Sequence, residues 1–220
     1  TKFKPLPTTP PEINECSRAL TPTQQILVSS SHQSISFGTV SVFYPESRSF
    51  TITNGLDQYI FVEFFFDCIE LKQSNPYSQV VPPLQTAGFD IKFSSHKPQN
   101  FMKTIQYIIN GHHSYSFTFI AQVIPIDLQI NQSFVEFRFS PDSIDPIIKE
   151  FITLTNKSNT RAEYNFTGLS PPFSMSNSKG FVEANKNLNL EITYNPGLKT
   201  HDEQDIVMNT LGGSSRALKL

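Results

Sequence analysis

Two adjacent histidines, His112 and His113, are the residues whose types and spacing come nearest to a chemical site. They follow Asn110-Gly111, a dipeptide typical of tight hairpin turns, which predicts them at a hairpin tip. Zinc requires three or four ligands in a fixed geometry. Both cysteines lie far from this pair in sequence, and the remaining histidines are scattered. We therefore favour an exposed turn over a metal site, and we expect no metal and no cofactor.

A second possible chemistry is nucleophilic attack by the thiol of Cys68. Its neighbours Asp67 and Glu70 are acidic, and negative charge raises the pKa of a thiol instead of lowering it. No Gly-x-Ser-x-Gly elbow, phosphate-binding loop or Gly-rich dinucleotide loop occurs, and the chain has only 9 Gly. We predict that the chain is not an enzyme and has no small-molecule substrate.

Three Asn-x-Ser/Thr sequences, at Asn131, Asn156 and Asn165, would carry glycans in a secreted protein. Asn156 and Asn165 fall in or beside predicted strands, and an Asn-rich chain contains such sequences by chance. Two cysteines are too few for a disulfide framework, and their use favours a reducing compartment. A secreted or cell-surface adhesion module of immunoglobulin type stays as the alternative reading.

The composition describes a folded chain without a charged binding face. The 220 residues include 20 Phe and no Trp, with 38% hydrophobic and 16% charged residues and a formal net charge of −2. Many Phe and few charges argue against disorder. The lack of a Lys/Arg cluster argues against nucleic-acid binding. No apolar run is long enough to span a membrane, so we expect no membrane contact.

Short strands separated by turn residues follow one another from about residue 26. Residues 50–54, Phe-Thr-Ile-Thr-Asn, alternate apolar and polar side chains, and residues 152–156, Ile-Thr-Leu-Thr-Asn, repeat the pattern 102 residues later. That spacing suits a sandwich of about 100 residues. Apolar positions of later strands keep a spacing of 101 residues: Ile91 and Ile192, Ile105 and Ile206, Phe117 and Leu218, Phe119 and Leu220. We predict an all-β chain of two tandem immunoglobulin-like β-sandwiches with seven to eight strands each.

The predicted domains are a Pro-rich lead-in over residues 1–25, a first sandwich over 26–124 and a second over 125–220. Five prolines in the lead-in favour extended, unpaired backbone, either as a flexible linker or as a tail ordered by packing on a neighbour. No segment of useful length has the 3.6-residue period of a helix. Comparison of the two sandwiches predicts that the second is truncated in its last strand, so that the chain is a piece of a longer protein.

One strand is more apolar than a half-buried strand requires. Residues 59–66 are apolar apart from Glu63, which predicts burial on both faces, or burial on one face and a partner on the other. Exposed apolar patches usually mark contacts, and sandwich edges accept added strands. The candidate partner surface consists of Tyr59, Phe61, Phe64, Phe65 and Phe66.

The order of these motifs resembles the ASH domain family (abnormal spindle and Hydin type), which is related to major sperm protein (MSP) domains and to the PapD-like immunoglobulin fold. Residues 35–40, Ile-Ser-Phe-Gly-Thr-Val, are similar to the family's opening motif, and residues 50–54 to its strand ending in Asn. In the second unit the motifs stand in the family's order at residues 152–156, 173–175, 180–182 and 192–196. The first unit departs from the pattern at Ser94-Ser95, where the family usually has Pro.

The resemblance implies a non-enzymatic scaffold segment of a larger cilia- or flagella-associated protein, as Hydin is. It implies a place in the cytoplasm and cytoskeleton, at the axoneme of the cilium, and protein partners that are axonemal (central apparatus) or microtubule-associated. Relatives with the MSP fold bind short acidic peptides through a basic groove. The matching strand here, residues 162–167, has no Lys or Arg, so we do not expect that mode of binding.

Overall fold

The computed structural model describes residues 2–73, 77–139, 146–196 and 202–220, which form almost only β-strands. The chain divides into two compact units, each with two sheets. The first unit comprises Thr1–Val40, Pro45–Ser95 and Gln99–Val123, and the second comprises Ser41–Tyr44, His96–Pro98 and Ile124–Leu220. The predicted all-β class with immunoglobulin-like β-sandwiches is confirmed.

The described elements are two short helices and seventeen strands. The helices are Pro10–Cys16 (α1) and Pro22–Gln25 (α2). The first nine strands are Val28–Ser30 (β1), Ser34–Ser41 (β2), Glu46–Asn54 (β3), Ile60–Phe65 (β4), Leu71–Gln73 (β5), Ser78–Val81 (β6), Thr86–Phe93 (β7), Gln99–Ile109 (β8) and His113–Ile124 (β9). The others are Leu128–Ile130 (β10), Ile148–Asn156 (β11), Ala162–Thr167 (β12), Phe173–Met175 (β13), Lys179–Val182 (β14), Asn187–Tyr194 (β15), Asp205–Thr210 (β16) and Arg216–Lys219 (β17).

Apart from β2, which has no counterpart strand among the described residues of the second unit, both units pair their strands in the same way. The sheets of the first unit have the orders β1-β3-β7-β5 and β2-β9-β8-β4-β6, and those of the second have the orders β10-β11-β15-β13 and β14-β12-β16-β17. The register agrees as well, since Phe50 lies opposite Phe89 and Ile152 lies opposite Leu190. The spacing of apolar residues in the sequence therefore corresponds to equivalent positions in the two sets of sheets.

Asn54 and Asn156 end strands β3 and β11 with the same set of hydrogen bonds. The Asn54 amide donates to the carbonyls of Gln58, Val81 and Pro82, and its oxygen accepts the N–H of Leu56. The Asn156 amide donates to the carbonyls of Thr160, Val182 and Glu183, and its oxygen accepts the N–H of Ser158. Because β3 and β6 belong to different sheets, as β11 and β14 do, each Asn ties together the two sheets of its own unit.

The cores of the two units differ in the kind of side chain that fills them. In the first unit the ring of Phe50 lies 4.8 Å from that of Phe117 and 5.4 Å from that of Phe89. Each fully buried Phe contributes about 1.5–3 kcal/mol. The buried side chains of the second unit are mostly aliphatic and include Ile152, Leu154, Leu190, Ile192, Ile206, Met208 and Leu218.

The lead-in is not the extended, unpaired backbone that its prolines predict, because α1 and α2 are helical. Pro10 and Pro22 each occupy the first turn of a helix, where a missing N–H costs nothing. The Glu12 carboxylate accepts the N–H groups of Thr8 and Thr9 ahead of α1. These helices were missed since they are too short for a periodic pattern, and capping residues alone specify them.

Two strand predictions also need correction. The first strand, expected to begin at Ile26, begins at Val28, because the N–H of Leu27 still donates to Gln24 in a helical turn. Residues 134–137, Phe-Val-Glu-Phe, also predict a strand, but the structure has only a single parallel bridge there, between Phe134 and Lys219. By contrast, the predicted hairpin at Asn110-Gly111 is confirmed, with both residues in the left-handed region of φ.

Candidate interaction surfaces

The predicted partner strand, β4, is buried on one face only. Its side chains alternate, and Phe64 is 5% exposed, while Phe65 is 53% exposed. The Phe64 ring packs 5.0 Å from Phe50 and 5.2 Å from Tyr107. The prediction of Phe64 as a surface residue is therefore wrong, because the two-residue period of a strand turns it into the core.

Phe65 is the member of the predicted surface that faces solvent. It lies opposite Gln106 of β8, on the outward face of its sheet. The same face carries Met102 and Ile120, which are cross-strand partners with exposed fractions of 71% and 39%. Counting in steps of two from buried Ile105 reaches residues 103 and 101, which leaves Met102 on the opposite, outward face, so the signal was present in the sequence.

Tyr59 and Phe61 are half-buried because the lead-in lies against this end of β4. The N–H of Tyr59 donates to the Glu15 carboxylate at 2.7 Å, from helix α1. The N–H of Phe61 donates at 2.8 Å to the side chain of Asn110, whose amide in turn donates to the carbonyl of Arg18 at 3.0 Å. The extra apolar residues of this strand thus have a cover that we did not predict, which is a segment of the same chain.

Phe66, the last residue of the predicted surface, follows β4 and is half-buried. Its ring lies 6.2 Å from that of Phe64. The five predicted residues therefore separate into three environments: the core for Phe64, solvent for Phe65, and partial cover for Tyr59, Phe61 and Phe66.

The start of the lead-in pairs with the outer edge of β6. The N–H of Val80 donates to the carbonyl of Lys4 at 2.9 Å, and the hydroxyl of Ser78 donates to the carbonyl of Pro5 at 2.6 Å. The N–H of Phe3 donates to the side-chain oxygen of Gln79 at 2.8 Å. A proline-containing segment of the lead-in therefore covers this edge and occupies the outward N–H of Val80.

His112 and His113 lie at the hairpin tip, as predicted, and both contact the lead-in. Nε2 of His113 accepts the N–H of Leu20 at 2.7 Å, which requires an unprotonated nitrogen there. Nε2 of His112 lies 3.0 Å from the carbonyl of Ser17, to which it donates. Over residues 2–73, 77–139, 146–196 and 202–220, no group of three His, Cys, Asp or Glu side chains could hold a metal ion. The two histidines therefore bind the backbone of the lead-in at the hairpin tip.

Neither cysteine has the surroundings of a nucleophile. Burial raises the pKa of the Cys16 thiol to about 12, and the charges of Glu12 and Glu15 add to the shift. Burial also raises the pKa of Cys68, with Glu70 as a further cause. The direction agrees with the expectation for Cys68, but burial is the larger cause. Both thiols therefore stay protonated near neutral pH.

The second unit contains an aromatic cleft of about 230 Å³ that the sequence analysis did not identify. The rings of Phe137, Phe173 and Tyr194 line it, with Phe173 and Tyr194 stacked at 4.9 Å. Two carboxylates at its border are already engaged, since Asp202 accepts the Tyr194 hydroxyl and Glu203 pairs with Lys219. The cleft therefore presents apolar rings, and both of these carboxylates at its border are already bonded.

No helix among the described residues is both long and apolar enough to cross a membrane. No protein-family model matches the chain. The chain is similar to cilia- and flagella-associated protein 47 from human, with 27% identity over 99% of the chain, and to the mouse protein of that name, with 26% identity over 99% of the chain. It spans about 7% of the length of these curated relatives.

Solved structures similar to the chain have low identity to it. An ASH/PapD-like domain of human CEP192 matches 48% of the chain and 90% of that domain, with 12% identity and a TM-score of 0.42. A protein of unknown function from Porphyromonas gingivalis matches 88% of the chain and 97% of that protein, with 8% identity and a TM-score of 0.41. Such scores do not by themselves establish a shared fold, and the β-sandwich assignment stands on the strand register.

Proposed function

We propose that this chain is a non-enzymatic structural segment of a cilia- or flagella-associated protein. The observation that carries the proposal is its similarity to cilia- and flagella-associated protein 47, which extends over 99% of the chain and so includes both units. The location that follows is the cilium, at the axoneme. The central apparatus, with its Hydin-like proteins, is the finer location that we propose from the order of the ASH-type motifs.

The proposed domains are two tandem ASH-type sandwiches, over residues 26–124 and 125–220, with residues 1–25 packed on the first. The repeated hydrogen bonds of Asn54 and Asn156 support two units of one type, since an accidental repeat would not reproduce four bonds at equivalent positions. We propose that each unit works through its shape. Sheets joined by buried hydrogen bonds form firm surfaces that hold partners at fixed positions.

The proposed partners are axonemal or microtubule-associated proteins. The surface that we propose for contact is the outward sheet face carrying Phe65, Met102 and Ile120, because exposed apolar side chains on one face are typical of protein contacts. A net charge of −2 without a Lys/Arg cluster gives no support to nucleic-acid binding. We propose no cofactor, no small-molecule substrate and no membrane contact.

The test expresses the tagged chain in ciliated cells, extracts the membranes with detergent, and identifies axonemal proteins cross-linked to the chain. Phe65→Ser is expected to abolish or strongly reduce this cross-linking. Phe151→Ser is the matched control, since Phe151 is 59% exposed and lies on β11. Equal cross-linking by wild type and Phe65→Ser would contradict the proposed surface, and absence of the chain from extracted axonemes would contradict the proposed function.

The same cells test the adhesion alternative. The side chain of Asn156 is 1% exposed and fully hydrogen-bonded, so a glycan there is incompatible with the folded unit. Asn131 and Asn165 are exposed and remain available. Secretion of the chain with glycans on either residue would favour the adhesion module over the ciliary scaffold.

A further inference from the structure

Strand β14 is an edge strand of the second unit whose outward backbone groups have no partner among the described residues. The N–H of Phe166 donates to the carbonyl of Ser178 at 2.7 Å, which fixes the phase of the β12–β14 ladder. Because bonded and non-bonded pairs alternate in antiparallel strands, the peptide groups of Lys179 and Phe181 point away from β12. The side chain of Phe181 is also 50% exposed.

The equivalent edge of the first unit, β6, has the same phase and is occupied. There the N–H of Phe64 donates to the carbonyl of Tyr77, as Phe166 does to Ser178. Val80, the counterpart of Phe181, directs its N–H outward and donates to the carbonyl of Lys4. The lead-in therefore shows one kind of segment that fits this edge, in which a proline, Pro5, immediately follows the pairing residue Lys4.

Among the residues that the structure describes, none covers the equivalent edge of the second unit in this way. The lead-in precedes β1, the first strand of the first unit. The residues that precede β10 by the same distance in sequence belong to β8 and β9, which are central strands of the other unit's sheet. The edge also differs in its side chains, since Lys179, Gly180 and aromatic Phe181 take the places of Ser78, Gln79 and Val80. The guanidinium of Arg161 lies 4.6 Å from the centre of the Phe181 ring and covers part of it.

We propose that β14 binds an extended, proline-containing segment of another polypeptide. The outward N–H and carbonyl groups of Lys179 and Phe181 pair with its backbone, as the N–H of Val80 pairs with the carbonyl of Lys4. The exposed ring of Phe181 packs against a proline of that segment, since proline-rich segments in extended conformation dock on aromatic side chains. The biological meaning of this edge rests on the proposed scaffold function, whereas its binding property does not.

The test uses the whole purified chain and a synthetic peptide with the sequence of residues 2–12, which is the occupant of the equivalent edge. In a ¹⁵N-labelled chain the peptide is expected to shift the amide signals of Lys179 and Phe181 in a saturable way and to leave that of Val80 unchanged. Phe181→Pro removes one outward donor without touching the ladder to β12, and it is expected to weaken binding about tenfold.

The control is Phe151→Ser, a substitution at another exposed strand position, which should bind the peptide like wild type. Unchanged affinity in Phe181→Pro, shifts confined to Val80 and the lead-in, or no saturable binding would each overturn the proposal. Concentration-dependent dimers that disappear in Phe181→Pro would overturn it as well, in favour of edge-to-edge pairing of two copies. Because the assay contains no ciliary material, its failure leaves the proposed function standing, and absence from axonemes leaves the peptide result standing.

Discussion

Asn54 and Asn156 are the residues on which the joining of the two sheets in each unit most depends. Each is almost completely buried, and each satisfies three carbonyl groups and one N–H group with a single side chain. A buried polar group that loses its partner costs about 1–3 kcal/mol. Replacing one of these side chains therefore leaves several groups without partners at once.

The first prediction concerns this side chain. Asn156→Ala is expected to lower the free energy of unfolding by roughly 2–4 kcal/mol, because water reaches only part of the freed backbone groups. The measurement is urea denaturation followed by circular dichroism. Asn165→Ala is the control, since this Asn is exposed on β12 and should change stability by less than about 0.5 kcal/mol. Similar effects of the two substitutions would show that the buried network is not important.

The second prediction separates two neighbouring phenylalanines. Phe64→Ala is expected to cost about 3–5 kcal/mol, because it leaves a cavity among Phe50, Phe89 and Tyr107. Phe65→Ala should cost less than about 0.5 kcal/mol, because the ring is half in solvent. Thermal unfolding of the two variants provides the comparison. A large loss of stability in Phe65→Ala would mean that its ring is packed and unavailable for partners.

At the scale of elements, the lead-in is the part whose structure is built from specific local bonds. A helix of 7 residues such as α1 is too short to be stable alone in water. It is held by Glu12, whose carboxylate binds Lys4 and the N–H groups of Thr8 and Thr9. The contact of Glu15 with Tyr59 then fastens the helix to β4.

The third prediction is a pH dependence of the lead-in. The hydrogen bond from Lys4, followed by that from Thr8, lowers the pKa of Glu12 from 4.5 to about 2. A carboxyl group whose pKa is lowered by folding stabilises the folded form above its unfolded pKa, and that contribution is lost as pH falls toward the folded pKa. Amide exchange at Thr8 and Thr9 should therefore accelerate between about pH 4.5 and pH 2.

Glu12→Gln is the control for this pH dependence. Its amide cannot titrate, so the exchange at Thr8 and Thr9, corrected for intrinsic rates, should stay constant across the same range. The amide of Asn156, in the other unit, serves as the internal reference, because no contact of Glu12 reaches it. An identical pH profile in wild type and Glu12→Gln would assign the effect to other carboxyl groups.

At the scale of the whole molecule, two units with one pattern of strand pairing have different cores. The first is filled by Phe rings and the second mainly by aliphatic side chains. A strand pattern requires apolar residues at every second position and does not specify their shape. The pairing pattern can therefore be retained while the side chains that fill each unit change.

The fourth prediction follows from this division. Ile152→Ala should cost about 2–5 kcal/mol and Phe50→Ala about 3–5 kcal/mol, since both side chains are fully buried. Each substitution should increase amide exchange in the core strands of its own unit only. Hydrogen exchange read by mass spectrometry distinguishes the two sets of peptides. Equal acceleration in both units after either substitution would indicate one cooperative folding unit instead of two.

The sequence by itself determined the strands, their class and their repeat. Alternation of apolar and polar residues specifies a strand through local geometry, so Phe50–Asn54 and its counterpart 102 residues later could be found without coordinates. The hairpin at Asn110-Gly111 was equally local, since both residues tolerate positive φ. Whether another segment of the chain covers residues 59–66, by contrast, could not be judged from their composition.

Only the tertiary structure decided what covers each apolar side chain and where each polar one is bonded. The lead-in reaches the start of β4 across 44 residues of sequence, in the bond between Glu15 and Tyr59, and β6 across 76, in the bond between Phe3 and Gln79. His113 reaches Leu20 across 93. Such contacts depend on how the strands are arranged in space, and no short-range pattern encodes them. The two-residue period of a strand separates Phe64 from Phe65, but the fold decided which of them faces the core, since Phe64 packs on Phe50 of the other sheet and Phe65 lies in solvent.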